Sequence, residues 1–180
     1  MLEENVANNE FDIESTKPAG FWIRVAAYLI DILVLLILIV ASNFVPSFTL
    51  YLILMVPMIC YKPVLEGLLG GTAGKLALGL KVINSDGEKL GLVGGFMRSA
   101  LFILPNIPGI LIKMKEMEAN LKQATPEEAM QFLQDNAILY GAMSILTLAV
   151  IISCIVVAFT NRKRGWHDLI GDSYVIYTNK

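Results

Sequence analysis

The sequence predicts an all-α membrane protein: a four-transmembrane-helix bundle with a short cytoplasmic β-hairpin or strand element. Three observations carry this. Four apolar runs, at about 20–42, 48–65, 92–112 and 137–160, are each long enough to approach or reach the roughly 30 Å of a hydrocarbon core. The 180-residue chain is 56% hydrophobic and only 17% charged, against roughly 45–50% and 25% for soluble domains. Charged residues sit inside or at the ends of the apolar runs, where each must find a partner or a wet cavity.

Residues 1–19 are polar and acidic, with Glu3, Glu4, Glu10, Asp12 and Glu14. They lack a basic stretch before a short apolar run, so no cleaved signal is expected, and the first span should direct insertion. A disordered tail is expected here, with the membrane domain occupying 20–178.

The first span reads GFWIRVAAYLIDILVLLILIVAS and carries Arg24 and Asp31. Seven residues make nearly two turns, so the two share one face, about 10 Å apart along the axis, flanked by Ala27 and Tyr28. Side chains lean toward a helix's N-terminus, so Arg24 leans away from Asp31, and each needs a partner elsewhere. A charge at mid-bilayer costs roughly 2.5–3.5 kcal/mol on insertion scales, which makes Asp31 a candidate ion- or ligand-binding residue with Tyr28 beside it. A snorkelling Arg24 is an equally good reading of that residue by itself.

The second span contains Pro57, a kink site, and ends near Lys62 and Glu66. The stretch that follows, GLLGGTAGKLALGLKVINSDGEKLG, brings Gly74 and Lys75 together. It is not a phosphate-binding loop: Leu69 stands where the motif needs its first glycine, and Leu76 where it needs Ser or Thr. Gly70, Gly71 and Gly74 read as a tight turn, Leu80–Ile83 as a strand, Asp86-Gly87 as a hairpin turn and 88–90 as the returning strand. The third span holds Arg98 and a ridge of small residues, Gly91, Gly95 and Ser99, that permits close helix approach. Pro105 and Pro108 mark its far end. A polar helical insert is expected at 113–136, solvated or lying on the membrane surface. Thr125-Pro126-Glu127-Glu128 is a capping box from which a helix should run on into the fourth span.

After the fourth span come Arg162, Lys163 and Arg164, a basic patch suited to anionic headgroups, then Trp166 as an interfacial anchor and Tyr174–Tyr177 as a strand that could extend the hairpin. With four spans, most Lys and Arg fall on the side of both ends, and only Lys113, Lys115 and Lys122 on the other. The positive-inside rule then puts both termini in the cytoplasm of a multi-pass inner-membrane protein. Arg24 and Asp168 form a candidate pair at that surface, with Glu66 and Arg98 as a second pair. Together these four make a structural charge network.

Cys60 and Cys154 lie in apolar runs without disulfide or metal spacing. His167 is the one histidine in the sequence, with no Ser or Cys nucleophile in view, and reads as a polar anchor. No enzyme activity, cofactor, metal or nucleic-acid partner is expected.

The stretches GFWIRVAAYLIDILV, GGTAGKLALGLKVINSDGEKLG and RKRGWHDLIGDSYVIY, with Arg24, Asp31, Arg98 and Asp168, resemble the RDD family of small bacterial membrane proteins. The 113–136 insert departs from its shorter members. The resemblance implies transport of an unidentified ligand, with sodium/proton exchange associated with some members. Two functions are therefore carried forward. One is a cation exchanger, expected to act as a homo-oligomer, with Asp31 alternately holding a proton and a small cation. The other is a membrane adaptor or assembly subunit whose buried charges fix helix packing.

Overall fold

The computed structural model describes residues 13–178. Helix α1 (Phe21–Phe44) follows the stiff Pro18-Ala19-Gly20 lead-in and stops at Val45, the residue before Pro46, which that proline holds in an extended conformation. Helix α2 (Phe48–Leu69) opens with Ser47, whose hydroxyl accepts from the Leu50 N–H at 3.3 Å. It runs one turn beyond the expected 65, carries Pro57 and Pro63, and closes on Gly70 at φ +78°, a left-handed cap that glycine adopts without strain.

The glycine-rich stretch is more than a turn. Thr72 caps a short helix, α3 (Ala73–Ala77), which packs against α1. Strand β1 (Leu80–Ile83) follows, but 88–90 is not its partner. Asn84 Oδ1 accepts from the N–H groups of Asp86 and Glu88, and the chain turns away through Gly87. The strand that pairs with β1 is β2 (Tyr174–Tyr177), antiparallel, with Leu80 opposite Tyr177 and Ile83 opposite Tyr174. A buried cluster of Ala19, Ala27, Leu80, Val82 and Val175 explains the choice: β2 brings Val175 to the hidden face, whereas 88–90 offers Glu, Lys and Leu.

The expected tail at 1–19 falls mostly on residues 1–12, outside the described residues. From Ile13 onward the expectation of disorder is corrected. Ile13–Ser15 is a 3-10 turn, Pro18 bridges Ile176, and the Ala19 N–H donates to Val175 O at 2.8 Å. Fully buried Ala19 ties this stretch into the packed core.

The third apolar run splits into α4 (Gly91–Ile103) and α5 (Asn106–Glu118), bent by 55°. Proline removes a donor at the break, and Asn106 Nδ2 donates instead to the carbonyls of Phe102 and Ile103 at 2.9 and 3.2 Å. The prolines thus mark a bend rather than the helix end, and α5 takes in the first six residues assigned to the insert. Helix α6 (Pro126–Asp135) starts with the Thr125/Glu128 capping box. It does not continue into α7 (Ala137–Phe159). Asn136 interrupts it, donating to Phe132 O and accepting from Lys115 Nζ at 2.8 Å. Helix α8 (Trp166–Ile170) then leads to β2.

Among the described residues, α1, α2 and α7 are long and apolar enough to cross a membrane, and the bent α4–α5 pair makes a fourth candidate if it counts as one span. The molecule is therefore mostly helical with three to four candidate spans and a two-stranded sheet. The most intimate helix pair is α2–α4, and the small-residue ridge lies in it. A Cβ on Gly95 would collide with Pro63 O, and one on Gly67 would sit 2.5 Å from Gly91 O. Gly95→Ala should therefore lower the thermal midpoint of the detergent-solubilised protein by the equivalent of about 1–3 kcal/mol, the usual cost of overpacking. Gly141→Ala, where nothing lies within 4 Å, should leave it unchanged.

Candidate functional site

Two polar assemblies lie within the bundle. The first surrounds Asp31, which is 8% exposed. Its Oδ1 accepts from Tyr61 Oη at 2.8 Å and from the Gly74 N–H at 2.7 Å, and its Oδ2 accepts from Thr72 Oγ1 at 2.7 Å. The partner that Asp31 needs is thus supplied by hydrogen-bond donors. No cation pairs with it among the described residues, yet three donors satisfy it. They are all neutral: Tyr61 comes from the second half of α2, and Thr72 and Gly74 from the cap and first turn of α3. Glycine at 74 is required, since a Cβ there would collide with Ala27 O. Tyr28 makes no hydrogen bond to Asp31 and stays 62% exposed; the phenol that reaches the carboxylate is Tyr61.

The second assembly is a chain of charges. Glu66 Oε1 takes Lys75 Nζ, and Arg98 Nε lies 2.8 Å from Glu66 Oε2. Arg98 Nη2 lies 2.7 Å from Asp168 Oδ1, and Asp168 Oδ2 takes Arg24 Nη1 at 2.7 Å. Arg24 is no snorkelling residue: its remaining donors go to Ala19 O at 3.0 Å and Lys163 O at 2.6 Å. Arg98 also donates to Ser173 Oγ at 2.5 Å. Glu66, Arg98 and Asp168 are almost wholly buried, at 0%, 1% and 0% exposure. Burial works to raise the Asp168 pKa, but the Arg98 and Arg24 guanidiniums outweigh it and hold it well below the usual carboxylate range. Burial lowers the Lys75 pKa, and the charge of Glu66 only partly offsets this.

His167 is not an interfacial anchor. It is buried, edge-on to Phe102, with Nδ1 2.8 Å from Ser153 Oγ and Nε2 3.4 Å from Asp168 Oδ1. A serine is thus present beside it, contrary to the expectation from sequence. Ser153 is fully buried, already accepts from the His167 backbone N–H at 3.1 Å, and does not line the cavity that His167 borders. Burial pushes the His167 pKa well below 6.5, which keeps the ring neutral near pH 7.

Both assemblies border one partly open cavity of about 640 Å³ between α1, α2, α4 and α7. Arg24, Tyr28, Asp31, Lys62, Glu66, Lys75, Arg98 and His167 line it, and Asp168 lies behind the two arginines. The basic patch is partly committed elsewhere, since Arg164 donates to Tyr174 Oη at 2.8 Å and pairs with Asp172 at 3.0 Å. Sequence reasoning missed Tyr61, Thr72 and Lys75 as members of the site. The Lys62/Glu66 spacing of one turn and the unexplained Lys75 were the available signals.

A family model described as the RDD family matches residues 18–172, most of the chain. The chain belongs to the RDD family. Two relatives are proteins of Bacillus subtilis (strain 168). Uncharacterized protein YckC is 27% identical over 167 residues, covering 89% of this chain and 85% of its own. Uncharacterized protein YxaI is 29% identical over 120 residues, covering 51% and 80%. No solved structure matches. The residues that link this RDD protein's distant segments, Arg24, Arg98 and Asp168, all lie inside the matched region.

Arg98→Met should cost about 3–5 kcal/mol, because it strips the shared cation from two buried carboxylates. Arg98→Lys should not restore stability, since an ammonium cannot reproduce the two-sided guanidinium fork. Folded yield and thermal midpoint in detergent check both. The thermal midpoint should also fall as pH drops from about 7.5 to 5. The folded His167 pKa lies below the unfolded value near 6.5, so the unfolded state takes up the proton first, and stability present above 6.5 is lost below it. His167→Gln should flatten that slope.

Proposed function

We propose that this RDD protein is a transporter with four spans, its described ends on the cytoplasmic side, that holds its solute in the cavity of the bundle. The single observation supporting this most is the cavity itself, whose volume falls within the roughly 300–1,000 Å³ of ligand sites. Its charged wall is costly inside a bilayer and is more readily explained by use than by packing alone. The orientation is supported by two features: the sheet gathers both ends of the described chain at one end of the bundle, and Lys113, Lys115 and Lys122 lie at the other.

In this reading Asp31 is a latch rather than a free ion carrier. As an anion it accepts from three donors, and these pin α3 against α1. Loss of that negative charge would weaken the carboxyl as an acceptor, loosening Thr72 and Gly74 and, through Lys75, the Glu66 end of the charge chain. Proton-coupled opening on the cytoplasmic side follows.

The test is sodium and proton flux by the purified protein in liposomes under an imposed pH gradient. Flux should be present, should fall at least tenfold in Asp31→Asn, and should persist in Tyr28→Phe. Unchanged flux in Asp31→Asn sinks the latch.

The adaptor reading is favoured by one specific observation: Glu66, Arg98, Asp168 and Arg24 are all mutually engaged, as structural pins would be. Absence of any flux, together with co-purification of other membrane proteins, would select it.

A further inference from the structure

Four cations, Arg24, Lys62, Lys75 and Arg98, border the cavity or its wall, against three carboxylates, Asp31, Glu66 and Asp168. The carboxylates are fully engaged. Glu66 spends one oxygen on Lys75 and the other on Arg98; Asp168 is shared between Arg98 and Arg24; Asp31 is held by three neutral donors. Lys62 is left over. It stands one helical turn before Glu66, and among the described residues it makes no ion pair or hydrogen bond. Its Nζ rests on the Phe102 ring, 3.0 Å from the centroid. A cation–π contact in water-poor surroundings is worth about 2 kcal/mol, which does not replace a counter-ion for an ammonium facing a cavity within the bilayer.

The remainder of the cavity is largely apolar; Asn106 and Thr147 also line it, but their side chains donate to Phe102 O and Met143 O at 2.9 and 2.8 Å. Leu35, Ile39, Met55, Ile59, Val150 and Ile151 line it away from the charged end. It is also open at the side: Tyr28 on α1 and Ile151 and Ile155 on α7 line it while staying 62%, 49% and 45% exposed. That flank is what acyl chains would cover. The cavity therefore combines a lysine that makes no ion pair among the described residues, a largely apolar flank and a lateral mouth.

We propose that the cavity binds a single-chain anionic amphiphile, a long-chain carboxylate, with its headgroup on Lys62 and its chain along α1, α2 and α7. Charge count selects a monoanion. A phosphate monoester, at about −1.5 to −2 near pH 7, would overcompensate that single lysine. A water-soluble anion would leave the apolar shaft unfilled, and a neutral lipid would leave Lys62 unmatched. The inference rests on the same cavity as the transport reading and names the class of molecule held there.

The test is equilibrium binding of oleate to the full chain, purified in a neutral detergent and stripped of lipid, read by thermal shift and by retention of labelled ligand. Oleate should bind saturably and raise the thermal midpoint. Oleyl alcohol, with the same tail and no charge, and inorganic phosphate, with charge and no tail, should do neither. Lys62→Gln should weaken oleate binding at least tenfold, and Lys62→Arg should retain it. Ile59→Trp, which fills the shaft without touching the charges, should weaken it as well. Equal binding of oleate and oleyl alcohol by the wild-type protein overturns the proposal without reliance on any variant. So does full oleate affinity in a folded Lys62→Gln protein. Oleate binding without sodium or proton flux leaves this inference standing and removes the proton-coupled transport reading; sodium or proton flux without oleate binding does the reverse.

Discussion

Arg98 is the point where the chain closes on itself. Its guanidinium stands between Glu66, at the end of α2, and Asp168, in α8, and Asp168 carries the link on to Arg24 at the start of α1. These residues come from four elements spread along the whole domain. Hydrophobic burial cannot choose their arrangement within a bilayer, because lipid tails are as apolar as leucine. Buried ions can, since an unmatched charge there is far costlier than a matched one. The small residues Gly67 and Gly95 let α2 and α4 approach closely enough for Glu66 and Arg98 to meet. Packing and charge pairing thus depend on each other.

Asp31 has a comparable role further into the bundle. Its carboxylate receives the phenol of Tyr61, the hydroxyl of Thr72 and the backbone of Gly74, and so fixes how the segment after α2 folds back. Thr72 then caps α3, and Lys75 on α3 reaches Glu66. A single acidic side chain on the first span in this way connects the glycine-rich stretch to the charge chain. The reason glycine stands at 74 is steric: the backbone of α1 at Ala27 lies where a Cβ would be.

The same arrangement leaves a cavity whose wall is polar at one end and largely apolar along the rest. Its electrostatics differ from what a lone carboxylate in a span would suggest. The acids are each ion-paired or hydrogen-bonded, and Lys62 rests on the Phe102 ring without an ion pair among the described residues.

The sequence by itself determined the class of molecule and the residues under constraint. Apolar runs of bilayer length declare membrane helices, and charges inside them declare that partners must exist. The capping box at Thr125 and the small-residue ridge at Gly95 are local signals and were legible for that reason. Only the tertiary structure decided who pairs with whom. Strand β1 chose β2 over the nearby 88–90 because Val175 could be buried, a fact about packing rather than about turn chemistry. Asp31 obtained two of its three neutral donors from a segment that sequence showed only as glycine-rich, and Ser153 met His167 because α8 folds back onto the end of α7. Periodicity fixes the face of a helix on which a charge lies; the angle and depth at which another helix meets that face are set by contacts distant in the chain.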